Sequence, residues 1–134
     1  MTVHVDGGAR GNPGPSAVAA VASDDSGQEL AERSAYIGQT TNNVAEYKAV
    51  LLGLELAHEL GATKVDVVNA SELVSRQIEG RYKVKNAGLK PLHAEAMEAL
   101  RGFEQWSVTS VRRESNERAD QLVNEALDDR ERGR

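Results

Sequence analysis

Residues 40–62, TTNNVAEYKAVLLGLELAHELGA, constrain the fold more than any other stretch. Val44, Tyr47, Leu51, Leu54 and Ala57 recur at three- and four-residue steps, which predicts an amphipathic helix. Thr41, Asn42 and Asn43 are N-cap candidates, and Gly61 is a fitting stop. The sequence on both sides of this helix is patterned for strands. TVHVD alternates and reads as a strand ending at Asp6, followed by a Gly- and Pro-rich loop, GGARGNPGP. SAVAAVAS and QELAERSAYIG read as two further strands joined by the turn DDSG.

After the long helix, TKVDVVNA reads as a strand and SELVSRQIEG as a short helix capped by Ser71 and stopped at Gly80. RYKVKNAG is a polar, basic loop, LKPLHAEAMEALRGF a helix, QWSVTSVRR a strand and SNERADQLVNEALDD the last helix. Residues from about 128 to 134 read as a frayed tail. This order predicts one α/β domain over residues 1–134, with a five-stranded mixed sheet flanked by helices. Hairpins supply its antiparallel part and helical crossovers its parallel part.

The chain has no cysteine, so a disulfide framework and a thiolate site are both excluded. The N-terminus has no basic-then-apolar signal pattern, and no apolar run approaches membrane-spanning length. A soluble cytoplasmic protein without membrane association is therefore expected. The net charge of -5 argues mildly against a polyanionic partner. Its distribution softens the argument. Between Glu72 and His93 lie Arg76, Arg81, Lys83, Lys85 and Lys90, with only Glu72 and Glu79 opposing them. Arg112 and Arg113 form a second basic spot. A local basic patch can guide a polyanion on an acidic protein, because salt screens charges beyond roughly 10 Å.

Three carboxylates stand out by placement: Asp6 at a strand end, Glu46 in the first turn of the long helix and Asp120 near the start of the last helix. In layered α/β sheets such positions converge on one rim, where ligands bind. Clustered carboxylates repel, and a hard dication offsets that repulsion directly. His4, His58 and His93 are scattered, and each reads as ordinary packing or surface.

The segments DGGARGNPGP, TTNNVAEY, SELV after a strand, and RRESNERADQL resemble, in order, the motif set of the type 1 ribonuclease H family. The likeness runs from Thr2 to about Leu127 and is nearest to the compact branch lacking an extra basic helix, whose place is held here by RYKVKN. The resemblance implies Mg2+-dependent (or Mn2+-dependent) endonucleolytic cleavage of the RNA strand of RNA/DNA hybrids, leaving a 5′-phosphate. It implies two ions per site, held by Asp6, Glu46 and Asp120 as catalytic metal ligands, with Asp6 bridging. A monomer is expected.

One departure touches this mechanism. At the fourth strand the family has Asp-Ser, and this chain has Ala70-Ser71. A methyl group ligates nothing. Asn69 is expected to face the wrong way, because neighbouring strand residues alternate, and Asp66 lies too far back. Two accounts stand open: an introduced Asp-to-Ala change that holds the enzyme inert, and a natural loss that leaves a hybrid-binding module or a poor enzyme. The surrounding motif is intact, which favours a single introduced change. Gly7 and Gly8 leave the backbone beside Asp6 free to approach a sugar, or else form a tight turn. Asn12, Thr41 and Asn43 resemble family positions that contact the nucleic-acid backbone, and Arg81, Lys83 and Lys85 are expected on phosphates. Many family members carry a histidine before the last helix. Here RRES stands there, and Arg113, always protonated, would act only electrostatically.

Overall fold

The alanines of the strand Gly14–Ser23 (β2) decide the layering. Val18, Ala20 and Ala22 join the core beneath the helix Asn42–Glu59 (α1), against which Lys90–Arg101 (α3) packs in turn. Ala17, Ala19 and Val21 face the other way, beneath Glu117–Glu131 (α4). Small side chains on both faces let this strand lie sandwiched between helices. The structure, a computed structural model, describes residues 1–133.

Strands β1 (Thr2–Ala9), β2 and β3 (Glu29–Thr40) form an antiparallel meander. Strands β4 (Lys64–Asn69) and β5 (Gln105–Ser110) extend it in parallel, giving the order β3-β2-β1-β4-β5. The five-stranded mixed sheet flanked by helices is the architecture read from the sequence. Helix α2 (Glu72–Ile78) follows β4, capped as expected by Ser71, whose hydroxyl accepts from the Val74 N–H. No helix among the described residues is long and apolar enough to cross a membrane.

One detail of pairing creates the site. Strand β4 pairs with β1 only at Thr2, Val3 and His4, while β1 runs on to Ala9 beside β2. Beyond His4 the sheet splits, and a crevice opens between β1 and the end of β4.

Three expectations are corrected. Asp6 is not the end of its strand, because Gly7, Gly8 and Ala9 prolong β1 instead of starting a loop. Gly7 explains the pattern: a Cβ there would lie 2.1 Å from the carbonyl oxygen of Ala45, so α1 crosses β1 in backbone contact. Glu46 lies one turn deeper than expected, since Thr41 is the N-cap and the first turn holds no acid. The last helix reaches Glu131, so residues 128–131 are not frayed. Arg10 holds Asp128 and Glu131 at 2.8 Å each and fastens the helix end to the β1–β2 turn. Arg134, the last residue of the expected tail, lies outside the described residues.

Candidate active site

Alternation along β1 sends Val3 and Val5 into the core under α1 and turns Asp6 towards α4. There it meets Asp120, in the first turn of α4, closely enough for the two carboxyl groups to share a hydrogen bond. Burial, the Asp120 charge and that shared bond push the Asp6 carboxyl up to about 7. Glu46 adds to the rise, and the Arg113 guanidinium opposes it.

Glu46 enters the same crevice from α1. Its Oε1 accepts from Asn42 Nδ2 at 2.5 Å, while its Oε2 is buried with no hydrogen-bond partner. Burial raises its carboxyl above the usual range, against the Ser71 hydroxyl and the Arg113 charge, which lower it. Asn42 also accepts the Ala9 N–H at 3.2 Å, so one amide sets Glu46 against β1.

Ala70 forms part of the same wall as Asp6 and Glu46. Ala70 brings no carboxylate to that wall, and its neighbours bring none either. Asn69 also borders the crevice, yet its amide is buried and committed: it donates to Ser75 Oγ at 2.9 Å and accepts from the Ser71 N–H at 2.7 Å. Asp66 accepts from Ser107 Oγ at 2.6 Å and does not reach the crevice.

The three sequence-predicted carboxylates are thus brought to one place, but not to one point. Among the described residues no three His, Asp or Glu groups converge as a ready metal cage. Asp6 and Asp120 engage each other, and Glu46 engages Asn42. The donor set still fits a hard cation. It is all oxygen, it holds an unpartnered buried carboxylate oxygen at Glu46, and it keeps Asp6 and Asp120 in a repulsion that only a proton or a cation relieves.

The other expected contact residues divide. Arg113 lines the crevice. Gly7 is a packing glycine, whereas a Cβ at Gly8 would meet nothing nearer than 3.8 Å and its face stays open beside Asp120. Asn12 accepts the Asn42 N–H at 3.1 Å and Thr41 accepts the Val44 N–H at 3.3 Å, so both serve the start of α1, with Asn43 partly exposed beside them. Arg81, Lys83 and Lys85 stand on the exposed segment between α2 and α3 and do not line the crevice. Of the histidines, His93 bonds the Gln77 carbonyl and none borders the crevice.

Sequence reasoning missed the hydrogen bonds of two amides, Asn42 to Glu46 and Ala9, and Asn116 to the Val5 carbonyl. Asn42 looked like one of three possible caps, and Asn116 like part of a motif. Their spacing to Glu46 and Asp120, four residues in each case, was the available signal.

A family model described as reverse transcriptase-like matches residues 4–126. Ribonuclease HI of Halobacterium salinarum is 44% identical over 126 residues, which are 94% of this chain and 63% of that protein. The crystal structure of RNase H1 from the same archaeon superposes with a TM-score of 0.93 at 43% identity, covering 96% of this chain and 97% of that one. The chain belongs to the type 1 ribonuclease H family. Another member, LC11-RNase H1 isolated from compost, has been crystallised in complex with an RNA/DNA hybrid; its TM-score is 0.91 at 44% identity, covering 96% of each chain. A bifunctional protein of Mycobacterium tuberculosis is 42% identical over 129 residues, and this chain spans only 35% of it. Ala70 sits in the wall of the crevice.

Proposed function

We propose that this chain is an RNA/DNA-hybrid endoribonuclease of the two-metal type whose catalysis is held back by Ala70. The observation that carries the proposal is the crevice itself, where Asp6, Glu46 and Asp120 gather and Ala70 occupies the wall beside them. Asp6, Glu46 and Asp120 would hold the two Mg2+ or Mn2+ ions. Such ions, when bound, supply an activated water and a stabilised leaving oxygen for phosphodiester cleavage.

The remaining work falls to the protein. Glu46 offers the oxygen that Asn42 leaves free. Arg113, the cation facing the acidic pair, is suited to a phosphate or a departing product. The open face at Gly8 admits a sugar-phosphate backbone to the Asp120 side of the crevice. Arg81, Lys83 and Lys85 would neutralise phosphates farther along the duplex. Ala70 contributes no oxygen, so one ion is left with an incomplete ligand set.

That same residue favours a second reading, a hybrid-binding module that does not cleave. Binding and cleavage measured together separate the readings. The chain is expected to bind a short RNA/DNA hybrid more tightly than duplex DNA of the same sequence, by fluorescence anisotropy. In Mg2+ it should nick the RNA strand slowly, leaving 5′-phosphates, and Asp6→Asn should abolish that residue of activity. Hybrid binding with no trace of Asp6-dependent nicking would establish the binding module. Equal affinity for hybrid and duplex DNA would sink both.

A further inference from the structure

We propose that Asn116 is the positioning residue of this site: a buried wedge in the split between β1 and β4 that sets Asp120 against Asp6. The inference rests on the reading of the crevice as a divalent-ion site and names the group that holds it in shape.

Asn116 occupies the position from which an asparagine normally caps a helix, with its side-chain oxygen accepting an N–H of the first turn. It does not do so. No side-chain cap bond forms, and the amide points instead across to β1, where Nδ2 donates to the Val5 carbonyl at 2.9 Å. Val5 is the residue before Asp6, and it lies just past the last β1–β4 pair, His4 with Val68. The Asn116 amide thus takes a carbonyl at the point where the partner strand has left.

The backbone of Asn116 makes two more contacts with the site. Its carbonyl accepts the Asp120 N–H at 3.1 Å, and its N–H donates to the Arg113 carbonyl at 2.9 Å. One residue, only 2% exposed, is therefore bonded to the neighbour of one acid, to the second acid and to the cation that faces them. Its Oδ1 is buried without a partner, an arrangement that opposes stability. A buried amide used for one donor bond, while its acceptor goes unused and the helix goes uncapped, is placed for geometry more than for folding.

Calorimetric titration of Mn2+ into the parent chain, Asn116→Leu and Asn116→Ser tests this without measuring cleavage. Leucine keeps the bulk and removes the donor; serine keeps a capping hydroxyl but is too short to fill the wedge. Gln77→Leu is the control, because it breaks a buried hydrogen bond, Tyr47–Gln77, between two residues that do not line the crevice. Both Asn116 variants are expected to bind Mn2+ at least about 10-fold more weakly, the lower end of what losing a ligand-orienting group costs. Gln77→Leu should keep the parent affinity even where its melting temperature falls as far. Parent affinity in either folded Asn116 variant would overturn the inference, as would a loss in Gln77→Leu that tracks stability equally. If the parent shows no Mn2+ binding that Asp6→Asn removes, the ion-site reading fails first and takes this inference with it.

Discussion

The crevice and the basic segment between α2 and α3 are both built of polar residues, yet they are held in opposite ways. At the crevice polar side chains are fixed by hydrogen bonds, some local and some from far along the chain: Asn42 to Glu46 and the Ala9 N–H, Asn69 to Ser75 and the Ser71 N–H, Asn116 to the Val5 carbonyl. On the basic segment Arg81 lies 4.0 Å from Glu79, and Lys83 and Lys85 have no ion pair among the described residues. Under the proposed function the difference separates two tasks. Carboxylates that must share cations need fixed positions, because their repulsion would otherwise spread them. Lysines that neutralise phosphates need only be near, since a duplex presents charge along its whole length.

The contrast can be broken at three points. The largest effect is expected at Gly7. Gly7→Ala places a methyl group on the Ala45 carbonyl and should lower stability by about 3 kcal/mol or more in chemical denaturation. Gly8→Ala has room and should change stability by less than about 0.5 kcal/mol, while weakening hybrid binding. Equal stability losses at the two positions would remove the distinction between packing and open glycine.

A smaller effect concerns charge. The Asp6 carboxyl is raised on folding from its ordinary 3.8 to about 7, so the folded state holds that proton more tightly than the unfolded chain does. Stability of the metal-free protein should therefore fall as pH rises from about 4 to about 7, then level off. Asp6→Asn stays neutral and should be the more stable protein by at least about 1 kcal/mol at pH 8 in chelator. The gap should close towards pH 4. Melting curves across that range check it, and a constant gap would mean that packing, not charge, separates the two proteins.

The smallest effect belongs to the basic segment. Lys83→Ala should leave stability unchanged and reduce the salt slope of log hybrid affinity by about one. An unaltered slope would make the segment a bystander.

How much of this was legible in the sequence follows the same division. The basic segment, the long helix and the order of elements along the chain were readable, because side-chain period and turn residues are local signals. The extent of β1 was misread because Gly7 and Gly8 look like turn residues. The true reason for Gly7 is Ala45, on another element. The end of α4 was misread because its clamp, Arg10, lies more than a hundred residues earlier. Asn116 was opaque for the same reason, its partner Val5 being 111 residues away. Asp6, Glu46 and Asp120 were legible as candidates, but position 70 drew notice only through the family resemblance.

Restoring the carboxylate tests the account most directly. In Ala70→Asp, Mg2+-dependent cleavage of the RNA strand of a hybrid should rise by at least about 100-fold, since even groups that merely orient a metal ligand are worth 10- to 100-fold. Hybrid affinity should stay near that of the parent, because the proposed contacts at Gly8, Arg113 and the basic segment do not involve position 70. Equal cleavage by the two proteins would contradict the account, showing that another group already supplies the oxygen that Ala70 lacks.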